Sequence, residues 1–266
     1  MSFYDWIYSN YAPNAQTVEI NTRYGLLHIL SVALAILACV GISFLRKRDE
    51  RTRKTVIYAV AGAILLLELA RRIINFTRGG IYFQLALYML LPRPWCAIAC
   101  WCFIACVFVN KKFFYNFTTM IALVCTTVFI VHPNVGFDGQ MLLFENIYSI
   151  CTHLFLFVGA ISLITLGFTD FTYVREPKCI KKSAIWELVC LATMYAYAFF
   201  EALALKIEKD PLMFMRDNDV QKVLSTSYGA YLVIYVLFLA FYFNAFYLVT
   251  MLVRYLRARK TNKLTE

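Results

Sequence analysis

Cys96, His28 and His153 are the residues of this chain best suited to chemistry, and each falls within an otherwise apolar stretch. A thiol is a nucleophile and an imidazole carries protons near neutral pH, so together they are the raw material of covalent catalysis. Glu68, Arg71, Arg72, Glu187 and Glu201 also interrupt apolar stretches. Ionisable groups in such places are rare and are functional candidates by default. Arg93 stands between Pro92 and Pro94, just before Cys96. A helix that starts after such a break has free N–H groups that can activate a thiol or stabilise an oxyanion.

Each candidate also has a plainer reading. Glu68 and Arg72 are four residues apart, the favoured orientation for an ion pair along one helix. His28 can bond a neighbouring helix, and Arg71 can extend its charged end outward. Glu187 and Glu201 lie near stretch ends, where they can reach interfacial water. Of the nine cysteines only Cys179 lies outside the apolar stretches, so they read as packing residues and not as a disulfide framework. Cys96, Cys100, Cys102 and Cys106 share one helix, which cannot wrap four thiolates around one ion. With no CxxC pair present, no metal is expected, and nothing calls for another cofactor.

The elements that must position these groups follow from charge patterning. Residues 25–45 carry no charge, and RKRDERTRK follows at once. About 20 uncharged residues cross a bilayer core as a helix. The pattern recurs at 56–76, 92–109, 114–131, 146–168, 184–205 and 227–253. The expected fold is therefore an all-α, seven-helix transmembrane bundle over 25–253, with an outer segment at 1–24 and a short, frayed basic cytoplasmic tail at 254–266. Connections after the first, third, fifth and seventh stretches hold seventeen basic residues against six on the other side. Basic residues accumulate in the cytoplasm, so the N-terminus is expected outside and the C-terminus inside. Residues 1–24 lack the apolar core of a signal peptide, which makes the first stretch an uncleaved anchor. Residues 81–91 are apolar but too short to cross, and read either as a re-entrant helix or as an extension of the third stretch.

Composition agrees with this class. At 61% hydrophobic residues the chain has more apolar surface than a soluble domain of its length can hide. The formal net charge is +10, but its basic residues sit beside the apolar stretches, where they set orientation and meet anionic lipid. Nucleic acid is not an expected partner, because no basic stripe lies on a polar face. Within this topology His28, Glu68, Cys96 and His153 fall about 5 to 12 Å below the outer ends of four different helices. One layer of the outer half thus gathers the reactive groups.

Leu91-Pro92-Arg93-Pro94-Trp95-Cys96 resembles the LPxxxC segment of the bacterial YwaF family and its eukaryotic relatives, the transmembrane protein 164 group. His28 in YGLLHIL, the turn at Asn110, Lys111 and Lys112, the loop His132-Pro133-Asn134 and His153 in CTHLFLF follow in matching order. The eukaryotic members are taken to be acyltransferases that remodel phospholipids through an intramembrane Cys and His. The resemblance implies Cys96 as acyl-accepting nucleophile, His153 as its base and membrane phospholipids as partners. It implies a cell-membrane location in a bacterial host or the endoplasmic reticulum in a eukaryotic one. Bacterial members often read LPLHLC; here Arg93, Pro94 and Trp95 replace the middle residues, leaving no histidine two before the cysteine. Glu68 or His28 is then expected to orient the imidazole, and Arg72 or Arg93 to hold a lipid phosphate. The competing readings are a transporter lined by the buried Glu, Arg and His residues, and a non-catalytic seven-helix ligand-binding protein.

Overall fold

The structure is a computed structural model that describes residues 22–78, 95–131, 133, 136–137, 142–169, 185–197, 200 and 219–262. The chain divides into two units, Met1–Phe168 and Thr169–Glu266. Regular structure among the described residues is entirely helical. The first unit holds α1 (Leu26–Ser43) with a 3-10 turn (Phe44–Lys47), α2 (Glu50–Arg78), α3 (Trp95–Val109), α4 (Lys112–Val131) and α5 (Phe144–Thr165). The second holds α6 (Ile185–Tyr197), α7 (Asp219–Leu224) and α8 (Tyr228–Asn262).

Each of the seven apolar stretches expected from sequence overlaps one of these helices. Leu26–Lys47, Lys112–Val131 and Phe144–Thr165 are both long and apolar enough to cross a membrane. Helix α2 has the length but carries Glu68, Arg71 and Arg72 in its second half. Helices α3 and α6 and the first part of α8, Tyr228–Tyr242, are apolar but shorter. Helix α8 runs on to Asn262, so the basic tail is helical where a frayed end was expected. The Leu-Arg-Ala-Arg-Lys run after Tyr255 is made of strong helix formers, which explains the extension. Residues 81–91, together with Pro92, Arg93 and Pro94, lie outside the described residues.

Local chemistry fixes the helix ends. Asp49 caps α2: its carboxylate accepts from the Thr52 backbone N–H at 3.0 Å and from the Thr52 hydroxyl at 2.6 Å. Those bonds hold the exposed Asp49 carboxyl below its ordinary range, so the cap persists as pH falls until that carboxyl is protonated. One turn on, Arg53 donates to the Leu166 carbonyl at 2.7 Å. This satisfies an orphan acceptor just past the C-terminus of α5 and places a cation at its negative end. Between α3 and α4, Asn110 takes a left-handed conformation (φ 46°), which asparagine tolerates better than most residues. Its side-chain oxygen accepts from the Tyr115 hydroxyl at 2.9 Å. The two helices are thereby folded back on each other across a two-residue link.

Helix α5 is the centre of the first unit and touches α1, α2, α3 and α4. By contrast α1 turns one stripe inward, His28, Ser31, Ala35 and Cys39, and leaves Leu30, Leu34 and Leu37 exposed. An exposed aliphatic face of that kind suits lipid. Close approach to α5 depends on Gly159: a Cβ there would stand 2.5 Å from the Phe103 ring on α3 and 3.1 Å from Val60 on α2. Phe103 is fully buried and has no room to yield. Gly159→Ala is therefore expected to lose about 1 to 3 kcal/mol of stability by overpacking, read as a lowered melting temperature in detergent. An unchanged melting temperature would mean the α3–α5 contact is looser than drawn.

In the second unit the Tyr195 and Tyr235 hydroxyls bond each other and join α6 to α8. Tyr231 is buried beside Tyr235. Glu187 on α6, expected at an interface, is buried instead at 2% exposure.

Candidate functional site

A layer of charged and polar side chains crosses the first unit where α2, α3 and α5 meet. Glu68 is 1% exposed. One of its carboxylate oxygens accepts from the Tyr148 hydroxyl at 2.5 Å, and the other pairs with Arg72. Arg72 also donates to the Glu68 backbone carbonyl at 2.9 Å, and its guanidinium lies over the Trp101 ring at 5.1 Å. The expected i, i+4 pair is thus present, and two aromatic residues from other helices complete it. Arg71, expected to extend outward, instead pairs with Glu145 at 3.1 Å and stacks over the Tyr148 ring at 4.6 Å. Two arginines and two glutamates make the layer formally neutral, which is how such charges survive burial.

Breaking a buried pair from one side leaves a bare charge, and that typically costs about 3 to 5 kcal/mol. Glu68→Ala should show a loss of this size in chemical or thermal unfolding. Glu68→Gln removes the same charge and keeps only one carbonyl oxygen for the two donors, Tyr148 and Arg72, so it should lose nearly as much. A clearly smaller loss in Glu68→Gln would mean that hydrogen bonding and packing, and not charge balance, hold the layer together.

Cys96 lies in the first turn of α3, partly buried, in electrostatic reach of Arg71, Glu68 and Cys125. Its neighbour Trp95 donates to the Ile121 carbonyl of α4 at 3.2 Å, which pins the start of α3 against α4. Cys100, one turn on, is buried beside Glu68. The Cys125 thiol donates within α4, toward the Ile121 and Ala122 carbonyls, and the Cys106 thiol donates to Phe103. Among the described residues no group of three or more His, Cys, Asp or Glu converges as metal ligands would.

His153 stacks flat on Phe129 of α4, with centroids 4.2 Å apart and planes within 6°. Its Nδ1 stands 2.7 Å from the Ser149 carbonyl. A carbonyl only accepts, so Nδ1 carries the proton and Nε2 keeps the lone pair of a base. His28, 5% exposed on α1, lies between Tyr24 at 5.7 Å and Phe137 at 4.9 Å. Phe137 in turn meets Phe129 at 5.7 Å. The Ile130 carbonyl lies near the His28 ring, yet neither ring nitrogen reaches hydrogen-bond geometry.

The fold therefore gathers Glu68, Arg72 and Cys96 in one layer. It places His153 against Phe129 of α4, about two turns from the Ile121 carbonyl that Trp95, the neighbour of Cys96, reaches. His28 shares the aromatic cluster of His153 without bonding to it. The group orienting the imidazole is the Ser149 carbonyl, while Glu68 is taken up by Arg72 and Tyr148. Arg93 lies outside the described residues. Sequence reasoning missed Tyr148, Trp101 and Glu145. The one available signal was Glu145 and Tyr148 standing three apart at the head of the fifth stretch, facing one direction.

The profile of the TMEM164 family matches residues 22–251 of the chain. The chain belongs to that family and is a membrane protein. No curated protein and no solved structure matches it.

Proposed function

We propose that this TMEM164 family member is an acyltransferase that moves acyl chains between membrane phospholipids, with Cys96 as nucleophile and His153 as base. The observation that supports the reading is that α3 meets α4 next to Cys96, where Trp95 donates to the Ile121 carbonyl, while His153 lies flat against Phe129 of the same α4. The tautomer of His153 supports it, since the Ser149 carbonyl holds the proton on Nδ1 and leaves Nε2 as the basic nitrogen. The family resemblance of the LPxxxC segment points the same way.

In the proposed cycle His153 Nε2 takes the Cys96 proton as the sulfur adds to a phospholipid ester carbonyl. The C–O bond then breaks, the protonated imidazole returns its proton to the leaving lysolipid alkoxide, and a thioester remains on Cys96. A second lysolipid hydroxyl gives its proton to Nε2 and attacks the thioester, and Cys96 is released to accept that proton. Backbone N–H groups at the start of α3 are the natural donors for the oxyanion formed in each half. The seven-span topology, N-terminus outside, belongs to the same proposal and rests on the seventeen-to-six asymmetry of basic residues. The test is direct: incubation with acyl-labelled phospholipid should leave label on Cys96 as a hydroxylamine-sensitive thioester, located by peptide mass spectrometry. Label on another cysteine, or none, would overturn the assignment.

A further inference from the structure

Two adjacent arginines on α2 have different circumstances. Arg72 is closed in by Glu68, by its own helix and by Trp101. Arg71 sits at the more exposed rim of the layer. Its Nε stands 3.1 Å from Glu145 but off hydrogen-bond alignment, and its guanidinium rests on the face of Tyr148. The exposures differ accordingly: the side chains of Arg71 and Glu145 are 23% and 27% exposed, against 10% and 1% for Arg72 and Glu68. Arg71 is also the cation that acts on the Cys96 thiol. It stands five residues from the end of the apolar stretch at 76, about 7 to 8 Å along the helix axis. An arginine side chain can recover that depth and bring its guanidinium to the interface.

We infer that Arg71, and not Arg72, binds the phosphate of the phospholipid whose ester is presented to Cys96. This deepens the acyltransferase reading and rests on it only for the role of the ester. A guanidinium offers paired N–H donors that match two phosphate oxygens, and the Arg71 side chain keeps 23% of its surface exposed while its Nε is out of line with Glu145. An arriving phosphodiester displaces Glu145 from the guanidinium, and the lipid esters, which lie below the phosphate, are left at the level of Cys96. A neutral diacylglycerol has no group to make that exchange, so Arg71 selects for phosphate-bearing lipids. The two partners compete, and Glu145 sets the threshold for binding.

The experiment measures equilibrium binding to the full chain in detergent micelles by native mass spectrometry. Cys96→Ala is the background, so that no covalent step intervenes. The probes are dihexanoyl phosphatidylcholine, dihexanoylglycerol and inorganic phosphate. Arg71→Gln should weaken phosphatidylcholine binding by about tenfold or more, the size expected for lost charged hydrogen bonds, and leave dihexanoylglycerol unchanged. Arg71→Lys should fall between, because an ammonium lacks the fork. Glu145→Gln should tighten phosphatidylcholine binding, a result that a merely structural ion pair would not produce. Equal weakening for both lipids, no weakening, or loosened binding in Glu145→Gln would overturn the proposal. Inorganic phosphate bound as tightly as phosphatidylcholine would overturn the lipid as ligand. If no thioester forms on Cys96 in the unaltered protein while Arg71→Gln still loses phosphatidylcholine selectively, the acyltransferase reading fails and the phosphate site stands.

Discussion

Cys96→Ser is expected to lower acyl transfer by on the order of 10⁴-fold or more, the scale seen when a covalent nucleophile is removed. Serine is close to cysteine in size, and Cys96 is only partly buried at the start of α3, so the fold should survive. The neighbouring thiols serve as controls. Cys125 donates within its own helix, a bond that a serine hydroxyl reproduces, and Cys125→Ser should keep most of the activity. Both halves of the reaction should stop in Cys96→Ser: no thioester forms, and no acyl group reaches a lysolipid acceptor. Turnover retained in Cys96→Ser, or lost equally in Cys125→Ser, would exclude a covalent mechanism through Cys96.

His153→Ala should lower turnover by about 10² to 10⁴-fold, the usual contribution of a general base. Its effect on stability should be small. The ring loses one stacked contact with Phe129, worth about 0.5 to 1.5 kcal/mol, and one hydrogen bond to a carbonyl of its own helix. His153→Gln separates the two roles more sharply, because its amide can still donate to Ser149 but has no basic nitrogen. A catalytic His153 predicts that glutamine is as inactive as alanine while the melting temperature is nearly restored. A structural His153 predicts that glutamine recovers activity along with stability. His28→Gln offers a comparison from the same aromatic cluster and should affect rate far less, since His28 lies beyond Phe137 from His153.

What was legible in the sequence was local or additive. The membrane class follows from summed hydropathy, because burial in lipid depends on total apolar surface and not on partners. The helical stretches follow for the same reason; where they are described their ends differ by three residues or fewer, except that α2 begins six residues early and α8 runs nine residues further. The Glu68–Arg72 pair was readable because four residues along a helix fix the approach of two side chains without any third element. The TMEM164 family was readable from the order of several short motifs, and its profile match over 22–251 agrees.

The remaining features of the site depend on how each helix is rotated and where it crosses its neighbours. Arg71 reads alone as an outward-reaching side chain; it turns to Glu145 and Tyr148 because α2 packs on α5 with that face inward. Tyr148 is 80 residues from Glu68, and nothing in either local sequence announces their bond. An expected depth for Cys96 and His153 could be counted from sequence, since depth is a count of residues along an axis. The packing of α3 and α5 on α4 could not, since it depends on Trp95 reaching Ile121 and on His153 lying flat against Phe129. Sequence by itself determined which residues are apolar, which stretches are helical and which pairs share a turn. Tertiary structure decided which deep residues meet, because helix rotation and crossing are set by side-chain packing among several helices at once.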